Sequence, residues 1–476
     1  VDNERFAEHL AAPEGRGDPP PGAHDGAAGG SVCGDLIRFS VRVRGERVEA
    51  VTFAAEGCGA LTAAGSAAVT LVGGEPLLQA ARVGTREIAA ELGGLSPGKL
   101  HAAELAADAL HRALGAASAD AAIAPSGNRT LVALSGGVDS AVAGLLLTRA
   151  GREVVAVTLE LWADPANDAE ASCCSAHAVR LARSVAHRMG LPHLTLDLRE
   201  PFRAGVVDPF LAGYAAGETP NPCVGCNGHV RLDAMIELAD RLGAADLATG
   251  HYARLSDGLL RTAADPAKDQ TYMLSALSPA SLARMRFPLG ELTKPEVRAL
   301  AAEAELPVAS RADSMDLCFL AGTGKAAFLA RHAALEDREG EIVDARGEVL
   351  GTHAGFHHFT VGQRRGLGVA AEEPLYVLRT EARANRVVVG TREELATRRV
   401  RVRGARMHRP DEEVDAVRLR YHSRAVPCHV ERTGDGVELA LAEDFHGAAP
   451  GQAAQLLRGD VIVGWATIAR AGGSDR

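Results

Sequence analysis

The sequence predicts an α/β protein built on a doubly wound parallel sheet, with an α+β unit before it and a small β domain plus a β-barrel after it. Three observations carry this prediction. From Arg129 to about residue 330, short apolar runs of buried-strand type (TLVALS, EVVAVTLEL, HLTLDL) alternate with helical runs (SAVAGLLLTRAG, AVRLARSVAHRMG), as in strands joined by crossover helices. Upstream, LIRFSVRVRG and RVEAVTFAAEG place apolar residues at every second position and meet at Gly45-Glu46, the pattern of an antiparallel hairpin. Downstream, GEIVDARGEVLG, EPLYVLRTEARANRVVVG, VDAVRLRYHS and VIVGWATIA are short strands separated by glycine turns.

At roughly 150 residues per domain, 476 residues suggest about three domains; the pattern resolves four. Residues 11–30, rich in Pro and Gly, read as loop. The hairpin follows, then helical sequence from Ala60 ending in LSPGKLHAAELAADALHRALG, so residues 1–116 form the first unit. Residues 117–128 lack periodicity and read as a linker. The sheet domain occupies 129–330, a small central domain 331–395 and the barrel 396–476. With 47% hydrophobic residues the chain is not predominantly disordered, and a net charge of −10 excludes a general basic coat. Eight cysteines, at 33, 58, 173, 174, 223, 226, 318 and 428, are too sparse for a disulfide scaffold. Without a signal peptide or a run of about 18 apolar residues, no membrane partner is expected, and a reducing, cytoplasmic location follows.

The most informative segment is LVALSGGVDSAVA, residues 131–143, where a strand runs through Ser135-Gly136-Gly137-Val138-Asp139-Ser140 into a helix. Two glycines alone signal only a tight turn. In this setting their backbone N–H groups and the helix N-terminus form a pyrophosphate site, with Asp139 a candidate Mg²⁺ ligand and the Ser135 and Ser140 hydroxyls donors to phosphate oxygens. The lysine of a Walker loop is absent, which disfavours phosphoryl-transfer ATPases. The hexapeptide resembles the loop of PP-loop ATP pyrophosphatases, of adenine-nucleotide hydrolase-like fold, which cleave ATP to AMP and pyrophosphate.

The second segment is Thr219-Pro220-Asn221-Pro222-Cys223-Val224-Gly225-Cys226-Asn227. The prolines present a Cys-x-x-Cys at a helix entrance, where the dipole lowers thiol pKa, and Cys318 follows almost a hundred residues on. Three readings stay open. A thiol pair carries persulfide sulfur and resolves as a disulfide; all three thiols hold a 4Fe–4S cluster; or His229 completes a zinc knuckle. Cys173-Cys174 and Cys428 read as incidental, the last as core.

SGGVDS, TPNPCVGCN, ATGHYAR (248–254), KDQTYML (268–274), FPLGELTKPEVR (287–298), DSMDLCF (313–319) and TVGQRRGLG (360–368) occur in this order. Together they resemble the tRNA-uridine 2-sulfurtransferases over about residues 128–470. The resemblance implies adenylation of O2 of the wobble uridine by ATP with Mg²⁺, then replacement of that oxygen by sulfur. It implies tRNA as partner and a sulfur donor such as a cysteine desulfurase or sulfur relay protein. Position by position, it implies Cys226 and Cys318 as catalytic, with Cys318 bearing the persulfide. Leu134, Ser135, Gly136, Gly137, Val138, Asp139, Ser140, Leu159 and Gly250 would contact ATP. Asn221, Pro222 and Cys223 would approach the target base, and His251, Lys268, Asp269, Gln270, Arg420, Tyr421 and Gln452 would contact tRNA. Cys223 stands where many members have Asp; this third thiol favours the 4Fe–4S version, with Cys223, Cys226 and Cys318 as ligands. Segment 398–409 (RRVRVRGARMHR) offers either local phosphate contacts or a solvated strand edge. The rival functions are an iron–sulfur or zinc carrier whose C-terminal part only binds tRNA, and another adenylating PP-loop synthase.

Finally, Cys33, Asp35, Cys58 and His101, with Phe6, His9-Leu10 and Pro13, resemble the iron–sulfur scaffold proteins of the NifU N-terminal type. That family's third cysteine is Ala102 here. Two Cys, one Asp and one His still suit Zn²⁺ or an iron–sulfur group.

Overall fold

The computed structural model describes residues 3–29, 34–163, 176–312, 317–434 and 436–470. Its first sheet is antiparallel, ordered β1 (His24–Gly29), β2 (Leu36–Arg44), β3 (Arg47–Glu56). The predicted alternation is met: Ile37, Phe39, Val41 and Val43 face the core, and Gly45 turns the hairpin at φ +63°. Helices Gly59–Val72 and Leu100–Ala117 cover the buried face.

β1 corrects the sequence reading, which has loop over residues 11–30. Its glycines serve close packing, not turning. A Cβ at Gly26 would collide with the backbone of Ala109 and Ala113 in helix Leu100–Ala117. Residues 117–128 also differ from a free tether. They comprise the helix end, the 3₁₀ turn Ser118–Asp120, buried Ala121 and Ile123, and the start of the next strand.

The second sheet is wholly parallel among β4 (Ser126–Ala133), β5 (Glu153–Glu160), β6 (His193–Asp197) and β7 (Ala244–Ala248). The hairpin β8 (Arg254–Ser256)–β9 (Leu259–Arg261) then precedes β10 (Met285–Arg286), which pairs parallel with β7. The order β10-β7-β4-β5-β6 means that the chain winds outward from β4 in both directions. Ligands in such sheets bind where the winding reverses, at the carboxyl ends of the central strands. The loop after β4 lies there.

Helix Leu100–Ala117 packs on β1 with one face and on β6 with another. Arg112 grips Glu160 with Nε at 3.0 and 3.1 Å from its two oxygens, and Asp108 accepts from Arg183. The N-terminal unit is therefore docked on the sheet through buried charges as well as apolar packing.

In the central domain β11 (Gly340–Val343), β12 (Val349–His353), β13 (Tyr376–Glu381) and β14 (Arg386–Gly390) form a mixed sheet ordered β12-β11-β14-β13. The barrel comprises β15 (Ala396–Met407), β16 (Ala416–Arg418), β17 (Val426–Thr433), β18 (Gly436–His446), β19 (Ala453–Arg458) and β20 (Val461–Ile468), closed by pairing of β15 with β20. β15 carries the basic segment and is paired on both sides, so the solvated-edge reading fails. Its Arg398 meets Asp444 at 2.7 Å, Arg399 meets Glu431 at 2.9 Å, and Arg403 grips both Glu218 oxygens at 2.7 Å. Among the described residues no helix is long and apolar enough to cross a membrane.

Candidate active site

β4 ends at Ala133, and Leu134–Gly137 lead into helix Val138–Arg149. Buried Leu134 and Val138 pin the two ends of the loop, and buried Leu159 lies near the end of β5. Gly136 has φ +71°, and a Cβ there would stand 2.9 Å from the Ala178 carbonyl, so glycine is required twice over. Ser140 braces the turn: its hydroxyl donates to the Gly137 carbonyl at 3.1 Å and accepts the Ser135 N–H at 3.1 Å. Gly250, just beyond β7, lies against the helix start, where a Cβ would be 2.5 Å from Ser140 N and 2.7 Å from Asp139 C.

Both Asp139 oxygens accept from Lys294 Nζ, at 2.7 and 2.8 Å, and Oδ1 also accepts the Tyr252 hydroxyl at 2.9 Å. A Mg²⁺ ion at Asp139 would thus compete with an ammonium. Lys294 is buried at the first position of helix Lys294–Glu303, behind the Thr293–Glu296 capping box. It brings to the phosphate loop the cation that a Walker lysine supplies from within its own loop. Arg311 Nη1 donates to the Gly136 carbonyl at 2.9 Å. Sequence reasoning missed Lys294, Tyr252 and Arg311. The capping pattern TKPE announces a helix start, but nothing local announces a partner 155 residues away.

The cysteine segment forms helix Pro222–Cys226, continuing through a π-helical turn into Leu232–Arg241. Asn221 is its N-cap, accepting the Cys223 N–H at 3.1 Å, and Pro222 fills N1. Cys223 is half-buried near the helix start. Cys226 is 5% exposed in the main apolar core, and half-buried Cys318 packs against that same core. Among the described residues, neither the three thiols nor Cys223, Cys226 and His229 form a group whose ligand atoms all lie within 4.8 Å of one another. Cys428 is buried, its thiol pushed up to about 12 by burial, as a core residue should be. Cys173 and Cys174 lie outside the described residues.

The positions expected to meet tRNA gather at the seam between sheet domain and barrel. Buried Asp269 accepts the Ala263 N–H, the Thr271 hydroxyl and the Arg418 guanidinium, the last at 2.9 Å from across the seam. Gln270 accepts the Tyr252 N–H at 2.9 Å, which sets the tyrosine that holds Asp139. Half-buried Lys268 precedes them. Gln452 donates to the Thr219 carbonyl at 2.6 Å, and Arg420 to the Gly447 carbonyl at 2.9 Å. Tyr421 lies 6.0 Å from Tyr272, its phenol pushed up by burial and by Asp269. His251 is within 2.8 Å of the Thr249 hydroxyl; burial, then Arg231, pushes its imidazole down to about 3, so it is neutral at pH 7.

In the N-terminal unit Asp35, Cys58 and His101 converge with ligand atoms within 4.8 Å. Asp35 Oδ2 is 3.2 Å from both Cys58 Sγ and His101 Nε2, while Oδ1 accepts the Cys58 N–H at 2.9 Å. That N–H bond is the chief reason the Asp35 carboxyl is held below its usual range. A Cβ at Gly57 would run into the Asp35 carboxylate, so the glycine keeps the cradle open. Cys33 lies outside the described residues, and Ala102 is buried without a donor to offer.

Fold and site together define an α/β nucleotide-binding enzyme with a phosphate loop of the ATP-pyrophosphatase type, fused to a scaffold-like domain. Family comparison agrees along the chain. Residues 2–121 match the NifU-like N terminal domain, 128–322 the tRNA methyl transferase HUP domain, 326–391 the tRNA methyl transferase PRC-barrel domain and 393–468 the aminomethyltransferase beta-barrel domain. The bifunctional protein NifU/MnmA of Rubrobacter xylanophilus is 46% identical over 482 residues, 98% of each chain. The tRNA-specific 2-thiouridylase MnmA of Acidithiobacillus ferrooxidans is 42% identical over 346 residues, covering 71% of this chain and 97% of its own. The chain belongs to the tRNA-specific 2-thiouridylase family of sulfurtransferases, in the bifunctional form with a NifU-like N-terminal domain.

Proposed function

We propose that this chain uses ATP to exchange O2 of the wobble uridine of tRNA for sulfur. Uridine O2 attacks the α-phosphorus of ATP, and pyrophosphate leaves onto the loop Leu134–Ser140. The backbone N–H groups, the helix N-terminus and Lys294 take up its charge. Asp139, whose carboxylate Lys294 and Tyr252 hold in place, would hold the Mg²⁺ that accompanies the nucleotide. Adenylation turns a poor leaving oxygen into AMP, so C2 becomes open to sulfur. The terminal sulfur of a Cys318 persulfide attacks C2 and AMP departs with O2. The Cys226 thiolate then takes Cys318 Sγ, forming a disulfide and leaving the thiocarbonyl on the base. A dithiol reductant restores both thiols, and a sulfur donor such as a cysteine desulfurase or relay protein recharges Cys318.

Cys223 supports the iron–sulfur-dependent form of this reaction. There Cys223, Cys226 and Cys318 would hold a 4Fe–4S cluster, which would supply sulfide-level sulfur in place of the persulfide. The fit rests on the donor chemistry: Cys226 sits in the main apolar core, Cys318 packs against that core, and half-buried Cys223 stands on the same short helix as Cys226. In the N-terminal domain Asp35, Cys58 and His101 would hold Zn²⁺ or cluster iron, and that domain would deliver sulfur or a cluster to the catalytic domain.

The observation that carries the reading is the placement of the SGGVDS loop and the TPNPCVGC helix in one domain, with the glycine, tyrosine and lysine that brace the loop. Complementing a thiolation-deficient strain should restore 2-thiouridine in tRNA by mass spectrometry. Its continued absence, with the protein expressed and soluble, would reject the proposal.

A further inference from the structure

The central domain holds a second cluster of metal-ligating side chains, apart from the thiols and from Asp35. His357 and His358 are neighbours in the 3₁₀ turn Phe356–His358, and Asp337 lies between helix Lys325–Ala333 and β11. His358 Nε2 is 2.7 Å and His357 Nε2 3.9 Å from the same oxygen, Asp337 Oδ1. One ligand atom from each residue lies within 4.8 Å of the others.

His357 carries the argument. It is 3% exposed, and its Nε2 is buried without a hydrogen-bond partner. A buried polar atom left unsatisfied costs about 1–3 kcal/mol, so this nitrogen should face something that binds it. What lies nearest in the carboxylate is an oxygen too distant for a hydrogen bond and placed for a shared ion. The ring packs closely on Gly355, where a Cβ would stand 2.5 Å from His357 Cε1 and 2.9 Å from Nδ1.

We propose that Asp337, His357 and His358 form a site for a divalent first-row transition ion, with Zn²⁺ the best match and water as fourth ligand. Zinc binds imidazole nitrogen and carboxylate oxygen at about 2.0–2.2 Å, and tetrahedral donors then stand roughly 3.4 Å apart. The two separations of 2.7 and 3.9 Å straddle that value. Two imidazoles and one carboxylate suit Zn²⁺ better than Mg²⁺ or Ca²⁺, which take oxygen ligands. The ion would tie the segment leaving helix Lys325–Ala333 to the turn just before Thr360, whose hydroxyl accepts from Thr219 of the cysteine segment at 3.2 Å. It would thereby fasten the central domain where that domain meets the reaction centre.

Co²⁺ titration of the full chain tests this, because thiolate ligands add near-ultraviolet charge-transfer bands and an Asp–His₂ site does not. In a Cys58→Ser chain, whose other thiolates at Cys33 and at the reaction centre remain, the Co²⁺ equivalent that Asp337→Asn removes should carry d–d absorption and no thiolate band. Asp337→Asn and His358→Gln, both at partly or fully exposed side chains, should each weaken it at least tenfold, and Zn²⁺ should raise Tm only where both residues are intact. Absence of a thiolate-free Co²⁺ species in the folded Cys58→Ser chain would overturn the proposal. So would a species that both substitutions leave unchanged.

Discussion

Replacing Lys294 by methionine isolates what the buried ammonium contributes to the phosphate loop. Its side chain is 10% exposed and Asp139 is 32% exposed, so the pair is only partly withdrawn from water. Removing one partner of a wholly buried ion pair costs about 3–5 kcal/mol. Here the carboxylate keeps the Tyr252 hydroxyl at 2.9 Å and reaches solvent, which lowers the cost to about 1–3 kcal/mol. The ammonium is also a side-chain cation held at the helix start that would receive pyrophosphate, through Asp139. Losing one charge-assisted contact there should raise KM for ATP about tenfold, at 1.4 kcal/mol per decade. Pyrophosphate release at saturating tRNA measures it. Glu296→Gln is the control: it loosens the capping box, in which Thr293 N–H donates to Glu296 at 2.7 Å, but leaves the ammonium in place. That variant should lower Tm slightly and keep its KM. An unchanged KM in Lys294→Met, or an equal rise in Glu296→Gln, would refute the reasoning.

Gly250→Ala should retain helical circular dichroism yet lose at least tenfold in ATP-dependent activity, because its Cβ meets backbone at Ser140 and Asp139, which no rotamer change relieves. Wild-type KM for ATP in that variant would count against the close approach. The His187 imidazole is pushed down to about 4 by burial and then Arg183, from 6.5 when exposed. The unfolded chain therefore binds that proton first, so this contribution to stability is complete above pH 6.5 and is lost as pH falls towards 4. His187→Gln should flatten the fall of Tm over that window, and an unaltered slope would remove His187 as its cause. Cys223→Asp, which installs the residue common in the family, should remove the catalytic domain's iron from anaerobically purified protein and collapse activity. Full activity without iron would place the chemistry on Cys226 and Cys318 alone.

The phosphate loop was legible because strand, turn and helix are contiguous, so spacing alone describes the geometry. Lys294 was not, since its function depends on a contact that topology makes. β1 was misread for a related reason: Gly26 supplies room for a helix over eighty residues downstream, and composition cannot distinguish that from turn-forming freedom. The basic stretch of β15 looked like unpaired charge because its acids, Glu431, Asp444 and Glu218, come from β17, β18 and another domain. Asp35, Cys58 and His101 were foreseen as a set from resemblance, and geometry brings them together. Asp337 with His357 and His358 went unremarked because twenty residues and a β-hairpin separate them.

The docking of the N-terminal domain separates two roles that its residue types suggest. β6 is the edge of the parallel sheet, and a bare edge invites pairing with other chains. Here the His193 N–H donates to the Ala81 carbonyl at 2.9 Å, and a Cβ at Gly115 would collide with the Thr195 carbonyl, so the fused domain lies directly on the edge strand. It also supplies Arg112 and Asp108 as partners to Glu160 and Arg183, which are buried in the docked chain. The Acidithiobacillus relative matches only 71% of this chain yet 97% of itself. The sheet therefore does not demand this cover in every member, and in the fused chain it has become part of the sheet's own satisfaction. Truncating residues 1–116 would confound a lost metal site with an opened edge and two orphaned charges. Substitutions at Asp35 or Cys58, which touch none of these contacts, ask about sulfur or metal delivery alone.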